Sequence, residues 1–139
     1  MRSKFTVAAA LSIALMFVGC ANKFSFIQSS VVPGAYGDVK VKKDKNENYI
    51  ITVDVTNLAD SRQLDPPKGT YVVWMETEEG NVRNIGQIKS TSSLLSKARK
   101  ATMRAATTVR PKRVFITAEE SGTVSYPGRE ILTTRTINA

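Results

Sequence analysis

The sequence contains no histidine and only one cysteine, Cys20. The absence of histidine excludes zinc sites built on imidazole, Ser–His and Cys–His nucleophile pairs, and imidazole acid–base catalysis. A single cysteine excludes an intramolecular disulfide, even in an oxidising compartment. We therefore expect no metal and no other cofactor, and a fold that is stabilised by its hydrophobic core.

The sequence also has no apolar run long enough to cross a bilayer comfortably. The run at residues 5–18 has about fourteen residues, whereas an untilted transmembrane helix needs roughly twenty. Two basic residues precede this run and the small residue Gly19 follows it, which is the layout of an export signal. We predict that residues 1–19 form a signal helix that is cleaved.

The residues at the predicted cleavage point, Val18-Gly19-Cys20, resemble the lipobox of bacterial lipoproteins, whose cysteine is acylated. The alternative is an ordinary signal peptide with an incidental buried cysteine. We favour lipidation of Cys20, for example with palmitate, because the cysteine stands at the cleavage point and nowhere else. Two or more acyl chains hold a protein stably on a membrane, since each buried methylene contributes about 0.8 kcal/mol.

The predicted mature protein is a single domain on a short tether. We assign residues 20–33 to the acylated cysteine and a polar tether, and residues 34–139 to the domain. The first residues of this tether carry no evident retention signal for the inner membrane. We therefore expect a periplasmic or cell-surface lipoprotein, anchored in the outer membrane.

Positive charge remains in excess after cleavage. The net charge falls from +8 to +6, because the signal contains two of the twenty basic residues and none of the twelve acidic ones. This excess favours anionic neighbours such as lipid phosphates or acidic glycans. Nucleic acid is a poor partner, because the basic residues are not interleaved with aromatic ones as in single-strand binders.

The domain shows alternation of apolar and polar residues with a period of two, interrupted by short turns. This pattern is typical of an all-β sandwich or barrel. The segments predicted as strands are residues 39–42, 51–56, 71–75, 82–88, 99–107, 112–120 and 130–137. Seven strands in about a hundred residues, with crossover loops between them, favour an immunoglobulin-like Greek-key β-sandwich.

One of these strands is ambiguous. Leu94, Ala98, Ala101 and Ala105 fit one face of a helix, whereas the alternation after Arg99 fits a strand. We favour a turn or short helix over residues 92–96, followed by the strand.

A basic surface is the main candidate for binding. The sequence has no acidic residue between Glu79 and Glu119, while basic residues accumulate there. The residues proposed for this surface are Arg99, Lys100, Arg104, Arg113 and an exposed Phe115. The alternative is a solvated face whose lysines discourage pairing of edge strands between molecules.

Other residues have both a structural and a functional interpretation. Trp74 is either a platform for a sugar ring or a core anchor, and we favour the core. The carboxylates of Glu76 and Glu119 would form the acid–base pair of a hydrolase, or acidic residues would hold Ca²⁺, if they met in a cleft. Hydrated carboxylates at turns and strand ends are the more common case, so we expect no enzyme activity.

Two segments, "KGTYVVWMETEEGNVRNIGQIK" and "PKRVFITAEESGTVSYPGREI", resemble the extracytoplasmic domain of anti-sigma-K factors. The resemblance covers roughly residues 34–137 and implies a β-sandwich outside the cytoplasmic membrane. It places motif positions, with no catalytic role, at Tyr71, Trp74, Thr117, Glu119 and Pro127. The chain shows neither the cytoplasmic sigma-binding domain nor the membrane crossing of that family.

The sequence therefore predicts a non-enzymatic, lipid-anchored module that binds a protein or another envelope component. The alternative is a regulatory relative of the anti-sigma factors that acts through a membrane partner. A carboxylate-dependent hydrolase is the less favoured third possibility.

Replacing Cys20 with serine is expected to abolish acylation, because the hydroxyl does not substitute for the thiol in the lipobox. The Cys20→Ser protein should move from the detergent phase to the aqueous phase in a detergent phase-partition assay. Unchanged partitioning would contradict the lipid anchor.

Overall fold

The computed structural model describes residues 21–89, 91–93 and 96–138. Over these residues the chain forms nine β-strands and one short 3-10 helix, Ser61–Gln63. The strands are β1 (Asn22–Ser25), β2 (Tyr36–Lys43), β3 (Tyr49–Thr56), β4 (Thr70–Thr77), β5 (Val82–Ile88), β6 (Thr91–Ser93), β7 (Ser96–Thr107), β8 (Pro111–Glu119) and β9 (Glu130–Thr133). The predicted signal helix and Cys20 lie outside the described residues.

The strands form two antiparallel sheets, so the prediction of an all-β sandwich is confirmed. One sheet has the order β1-β2-β3-β7-β6 and the other has the order β5-β4-β8-β9. None of the described residues belongs to a helix long and apolar enough to cross a membrane.

The main core lies between the two sheets and follows from the alternation in the sequence. In β3, Ile51, Val53 and Val55 are buried, while the residues between them are half-buried. Residues of matching parity in β4 and β8, such as Val73 and Ile116, complete this core from the other sheet. Strand β4 differs from the others because Thr70 to Met75 are all buried, as expected of a central strand with both faces covered.

The N-terminal segment is part of the sandwich, whereas the sequence predicted a polar tether over residues 20–33. Strand β1 pairs with β2, and the chain then crosses to β9, where the amide of Ile27 donates to the carbonyl of Thr133 at 2.8 Å. Further along, the Ser29 hydroxyl accepts from the amide of Val32, whose side chain is buried. The segment thus joins one edge of each sheet, and the domain begins near Asn22 instead of residue 34.

The ambiguous segment is a strand where the structure describes it. Residues 100–107 of β7 pair with β3, from Thr107 opposite Tyr49 to Lys100 opposite Thr56. The strand interpretation of residues 99–107 is therefore confirmed. The predicted turn or short helix over residues 92–96 includes residues 94–95, which lie outside the described residues, and the positions on either side belong to β6 and β7.

At Gly37 the backbone of β2 closely approaches the backbone of β3. A Cβ atom at this position would collide with the carbonyl oxygen of Asp54 and lie 2.8 Å from the Cα of Val55. Both are backbone atoms of the paired strand, so neither can rotate away. We expect Gly37→Ala to lower the free energy of unfolding by about 1–3 kcal/mol, the usual range for overpacking.

Chemical denaturation of Gly37→Ala and Gly34→Ala provides the measurement and its control. A Cβ atom at Gly34 would have no atom within 4 Å, so this matched substitution should leave stability unchanged or slightly raised. Equal stability of the two variants would contradict the described approach of β2 to β3.

Candidate functional site

The predicted basic surface is divided between the two sheets. Lys100 and Arg104 lie on the outer face of the five-stranded sheet, because Ala101 between them faces the core. Arg99 has the opposite parity to Lys100 and is half-buried. Arg113 lies on β8 in the other sheet. These residues therefore do not form one continuous patch.

The outer face of the five-stranded sheet carries charges of both signs. Lys23 lies opposite Lys40, and Arg104 is in line with them across β3. The next row along the strands holds Asp38 opposite Asp54. The Lys23 amine lies 3.4 Å from a carboxylate oxygen of Asp38. This arrangement is a solvated face with partly compensated charge, as in the alternative interpretation of the basic segment.

Phe115 is not exposed, so its prediction as a contact residue is wrong. Only 1% of the residue is accessible. Its ring stacks on Trp74, with centroids 6.4 Å apart and planes inclined by 14°, and the Arg113 guanidinium lies 4.4 Å from its centroid. Strand parity places Phe115 away from the main core, but the outer face of this sheet is itself covered.

The cover is the connection between β8 and β9, residues 120–129, which we call the capping loop. Val124 of this loop packs on a second apolar cluster formed by Val72, Trp74 and Phe115. Trp74 is therefore fully buried, as predicted, although it lies outside the main core between the sheets. The capping loop keeps water from a face that an antiparallel sheet often leaves exposed.

Hydrogen bonds fix the capping loop at two places. On one side, the side-chain amide of Asn84 donates to the carbonyl oxygens of Gly122 and Val124 at 2.9 and 3.2 Å. On the other side, the amide of Gly128 donates to the Glu119 carboxylate at 2.6 Å. The loop is thus tied to β5 and β8, one on each side of β4.

A chain of hydrogen bonds links three of the five motif positions to the backbone of the capping loop. The Trp74 indole donates to the Thr117 hydroxyl at 2.8 Å, and that hydroxyl donates to the Glu119 carboxylate at 2.7 Å. The same carboxylate oxygen accepts from Gly128, the residue after Pro127. The buried indole and hydroxyl are both satisfied, which burial of polar groups requires.

Tyr71, another of the motif positions, lies on the opposite face of β4. Its ring packs in the main core and its hydroxyl donates to the carbonyl of Ala59 at 2.7 Å. Burial raises the pKa of this phenol to about 12, mainly because the charged form would lose its hydration. Tyr71 is therefore a structural residue that remains neutral at physiological pH.

The charge of Arg113 is compensated within the protein. Its guanidinium contacts Glu76 at 2.8 Å and Glu130 at 2.7 Å, and also donates to the Thr133 hydroxyl at 3.1 Å. Partial burial opposes the charged form, but these two carboxylates outweigh it and raise the pKa of Arg113. The group is held by its own neighbours and is not a free anion-binding site.

Glu76 and Glu119 are too far apart to act on one substrate bond. Glu76 lies opposite Arg113 and Glu119 lies opposite Thr70, so the two are six positions apart along β4. At about 3.3 Å per residue this is roughly 20 Å, whereas glycosidase carboxylates are about 5–10 Å apart. Within the described residues, no group of three or more Asp, Glu, His or Cys side chains is placed to hold a metal ion.

The cleft beside Tyr71 also offers no pair of free carboxylates. It has a volume of about 290 Å³ and is lined by Asp60, Arg62 and Lys89 among others. Asp60 and Arg62 form an ion pair at 2.7 Å, and the hydrogen bond from the Arg62 side chain strongly lowers the pKa of Asp60. The cleft thus presents a completed ion pair and an amine.

The most exposed large hydrophobic residue in the described part of the chain is Tyr126 of the capping loop. It is 85% exposed, compared with 61% for Tyr36 and less for Ile27 and Val82. This tyrosine is not among the residues that were predicted from the sequence as candidate contacts. A large aromatic residue just before a Pro-Gly turn is the signal that could have identified it.

Comparison of the chain with protein-family models, with curated proteins and with solved structures finds no match. The geometry of the chain itself therefore carries the functional argument.

Truncation of Trp74 is expected to destabilise the protein through loss of the second cluster. Trp74→Ala should lower the free energy of unfolding by about 3–5 kcal/mol, the range for a buried large aromatic. Chemical denaturation provides the measurement. Tyr126→Ala on the same face is the control and should leave stability unchanged, because that ring is exposed. A near-wild-type stability of Trp74→Ala would refute the structural role of the ring.

Proposed function

We propose that this protein is a non-enzymatic, lipid-anchored envelope module that docks a partner protein through its capping loop. The anchor is the acylated Cys20 suggested by the lipobox-like sequence. The membrane is the outer membrane, and the domain faces the periplasm or the cell surface. The proposal assigns no cofactor and no catalytic residue.

The observation that carries this proposal is the exposure of Tyr126 on a loop that is fixed at both sides. Tyrosine is enriched at binding hot spots, because it combines a large apolar ring with a polar group. A fixed loop also loses little conformational entropy on binding, so more of the contact energy appears as affinity. Asn84 and Glu119 hold the loop in the free protein.

The strand order supports an immunoglobulin-like Greek-key assignment of the sandwich. Strands β2, β3, β7 and β6 follow one another in the first sheet, and β5, β4, β8 and β9 in the second. This order corresponds to strands A, B, E and D of an immunoglobulin domain opposite C′, C, F and G. In such domains the loops at the ends of the sandwich commonly bind partners, which agrees with a binding role for a loop here.

A second candidate is a regulatory relative of the anti-sigma factors that acts through a membrane partner. It is favoured by the finding that Trp74, Thr117 and Glu119, which the resemblance selects, belong to one hydrogen-bonded chain. A shared chain gives a physical reason for these residues to occur together. A neighbouring gene for a sigma factor or a transmembrane partner would favour this candidate.

Site-specific photo-crosslinking in intact cells tests the docking role. A photoreactive aromatic amino acid at position 126 should give a discrete adduct, whereas the same substitution at Tyr36 should give none. Tyr36 is the matched control, since it is an exposed tyrosine on a different surface. Mass spectrometry of the adduct identifies the partner.

Binding of the identified partner then provides the quantitative test. Tyr126→Ala should weaken binding about thirtyfold, because truncation of a hot-spot residue costs about 2 kcal/mol. Tyr36→Ala should leave the affinity unchanged. Equal adducts at both positions, or equal affinity of both alanine variants, would overturn the proposed docking surface.

A further inference from the structure

The position of Asn22 limits where an acyl chain on Cys20 could be attached relative to the sandwich. Strand β1 begins at Asn22, and neighbouring Cα atoms are about 3.8 Å apart, so the Cα of Cys20 lies within about 8 Å of that of Asn22. In the sheet, Asn22 is opposite Val41, close to the turn that joins β2 and β3. The attachment point and this turn are therefore at the same end of the domain.

This turn carries a concentration of positive charge. The segment of residues 40–49, which we call the basic hairpin, contains four exposed lysines, Lys40, Lys42, Lys43 and Lys45. Lys43 lies 5.3 Å from the ring centroid of Tyr49. None of the four forms an ion pair with another described residue.

Two acidic residues reduce the positive charge of the hairpin but do not cancel that of its four lysines. The Asp44 carboxylate accepts from the amides of Asn46 and Asn48 at 2.8 and 2.9 Å, so it is held inside the turn. Glu47 is exposed and opposes the lysines, whereas Arg110 on the adjacent β7–β8 turn adds to them. The excess of charge at this end of the five-stranded sheet is therefore positive.

The same end of the other sheet carries charges of both signs. Glu78 and Glu79 are exposed in the β4–β5 turn, which lies beside the start of β8. Arg83 near the start of β5 and Arg135 after β9 are exposed at this end as well. The concentration of positive charge near Cys20 is therefore at the basic hairpin of the five-stranded sheet.

We infer that the basic hairpin binds the anionic phospholipid headgroups of the membrane in which Cys20 is anchored. This inference rests on the proposed lipid anchor. Lysines close to an anionic bilayer are attracted to it within about one Debye length, and the anchor holds the hairpin inside that distance. The contact fixes the orientation of the sandwich, because Glu119 and the start of the capping loop lie at the other end of β8.

Fluorescence quenching by headgroup-labelled lipids tests this orientation in the full, lipidated chain. Cys20 is the only native cysteine, so an introduced cysteine is the single free thiol for a fluorophore. Asn46→Cys places the label on the basic hairpin, and Gln63→Cys places it at the opposite end as the matched control. Both positions are exposed.

The vesicles are either neutral or contain about one third phosphatidylglycerol, whose charge attracts nearby lysines. In anionic vesicles the label at position 46 should be quenched at least about twofold more than in neutral ones, while the label at position 63 should show no difference. Salt at about 1 M, which shortens the Debye length to about 3 Å, should remove the extra quenching.

Charge variants distinguish the effect of the hairpin lysines on the quenching from the effect of the net charge of the protein. Lys42→Gln with Lys45→Gln should reduce the quenching at position 46 to the level measured in neutral vesicles. Lys89→Gln with Arg129→Gln removes the same charge from the other end and should leave the quenching unchanged. Both residues of this control are exposed.

Co-sedimentation with the vesicles distinguishes failure of the anchor from failure of the inference. If the protein sediments with neither type of vesicle, the anchor is refuted and the inference falls with it. If the protein sediments with both but the two labels are quenched alike, or the hairpin variant behaves as the wild type, the anchor stands and the headgroup contact is refuted.

Discussion

The hydrogen bonds that hold the capping loop over the four-stranded sheet determine much of the rest of the structure. An antiparallel sheet with one solvated face would expose Trp74 and Phe115 to water. The Glu119 carboxylate joins the indole and hydroxyl of the sheet to the backbone of the loop. A large apolar ring pair can then occupy an outer face, which gives the domain a second cluster in addition to the core between the sheets.

The same arrangement decides which residues remain available to a partner. Arg113 stacks on Phe115 and pairs with two carboxylates, so neither the arginine nor the phenylalanine faces solvent as a free contact. Glu76 and Glu119 are each engaged by a different neighbour, at different ends of β4 and β8. Tyr126 of the capping loop remains exposed. A partner that approached this face would therefore contact the loop and not the strands beneath it.

The N-terminal segment bears on how the domain would lie relative to the proposed lipid on Cys20. A flexible tether would allow the sandwich to adopt any orientation on a bilayer. Strand β1 instead begins at Asn22 and pairs with β2, so that Cys20 is within two residues of folded structure. The end of the domain that carries the basic hairpin is therefore held close to any lipid on Cys20, while the capping loop leaves from the other end.

The sequence by itself determined the fold class and most strands, because an alternation such as Ile51, Val53 and Val55 is a local pattern that requires one buried face. It also indicated that Trp74 is buried. It could not show that β1 is a strand, because four residues have too little periodicity, and their pairing with β2 is a long-range contact. Only the tertiary structure decided the environment of Phe115 and Arg113, since strand parity assigns a side chain to a face but does not reveal what covers that face. The tertiary structure also separated Arg113 from Arg99, Lys100 and Arg104. The turn at residues 108–110 leads the chain from one sheet to the other, so these neighbours in the sequence lie in different sheets.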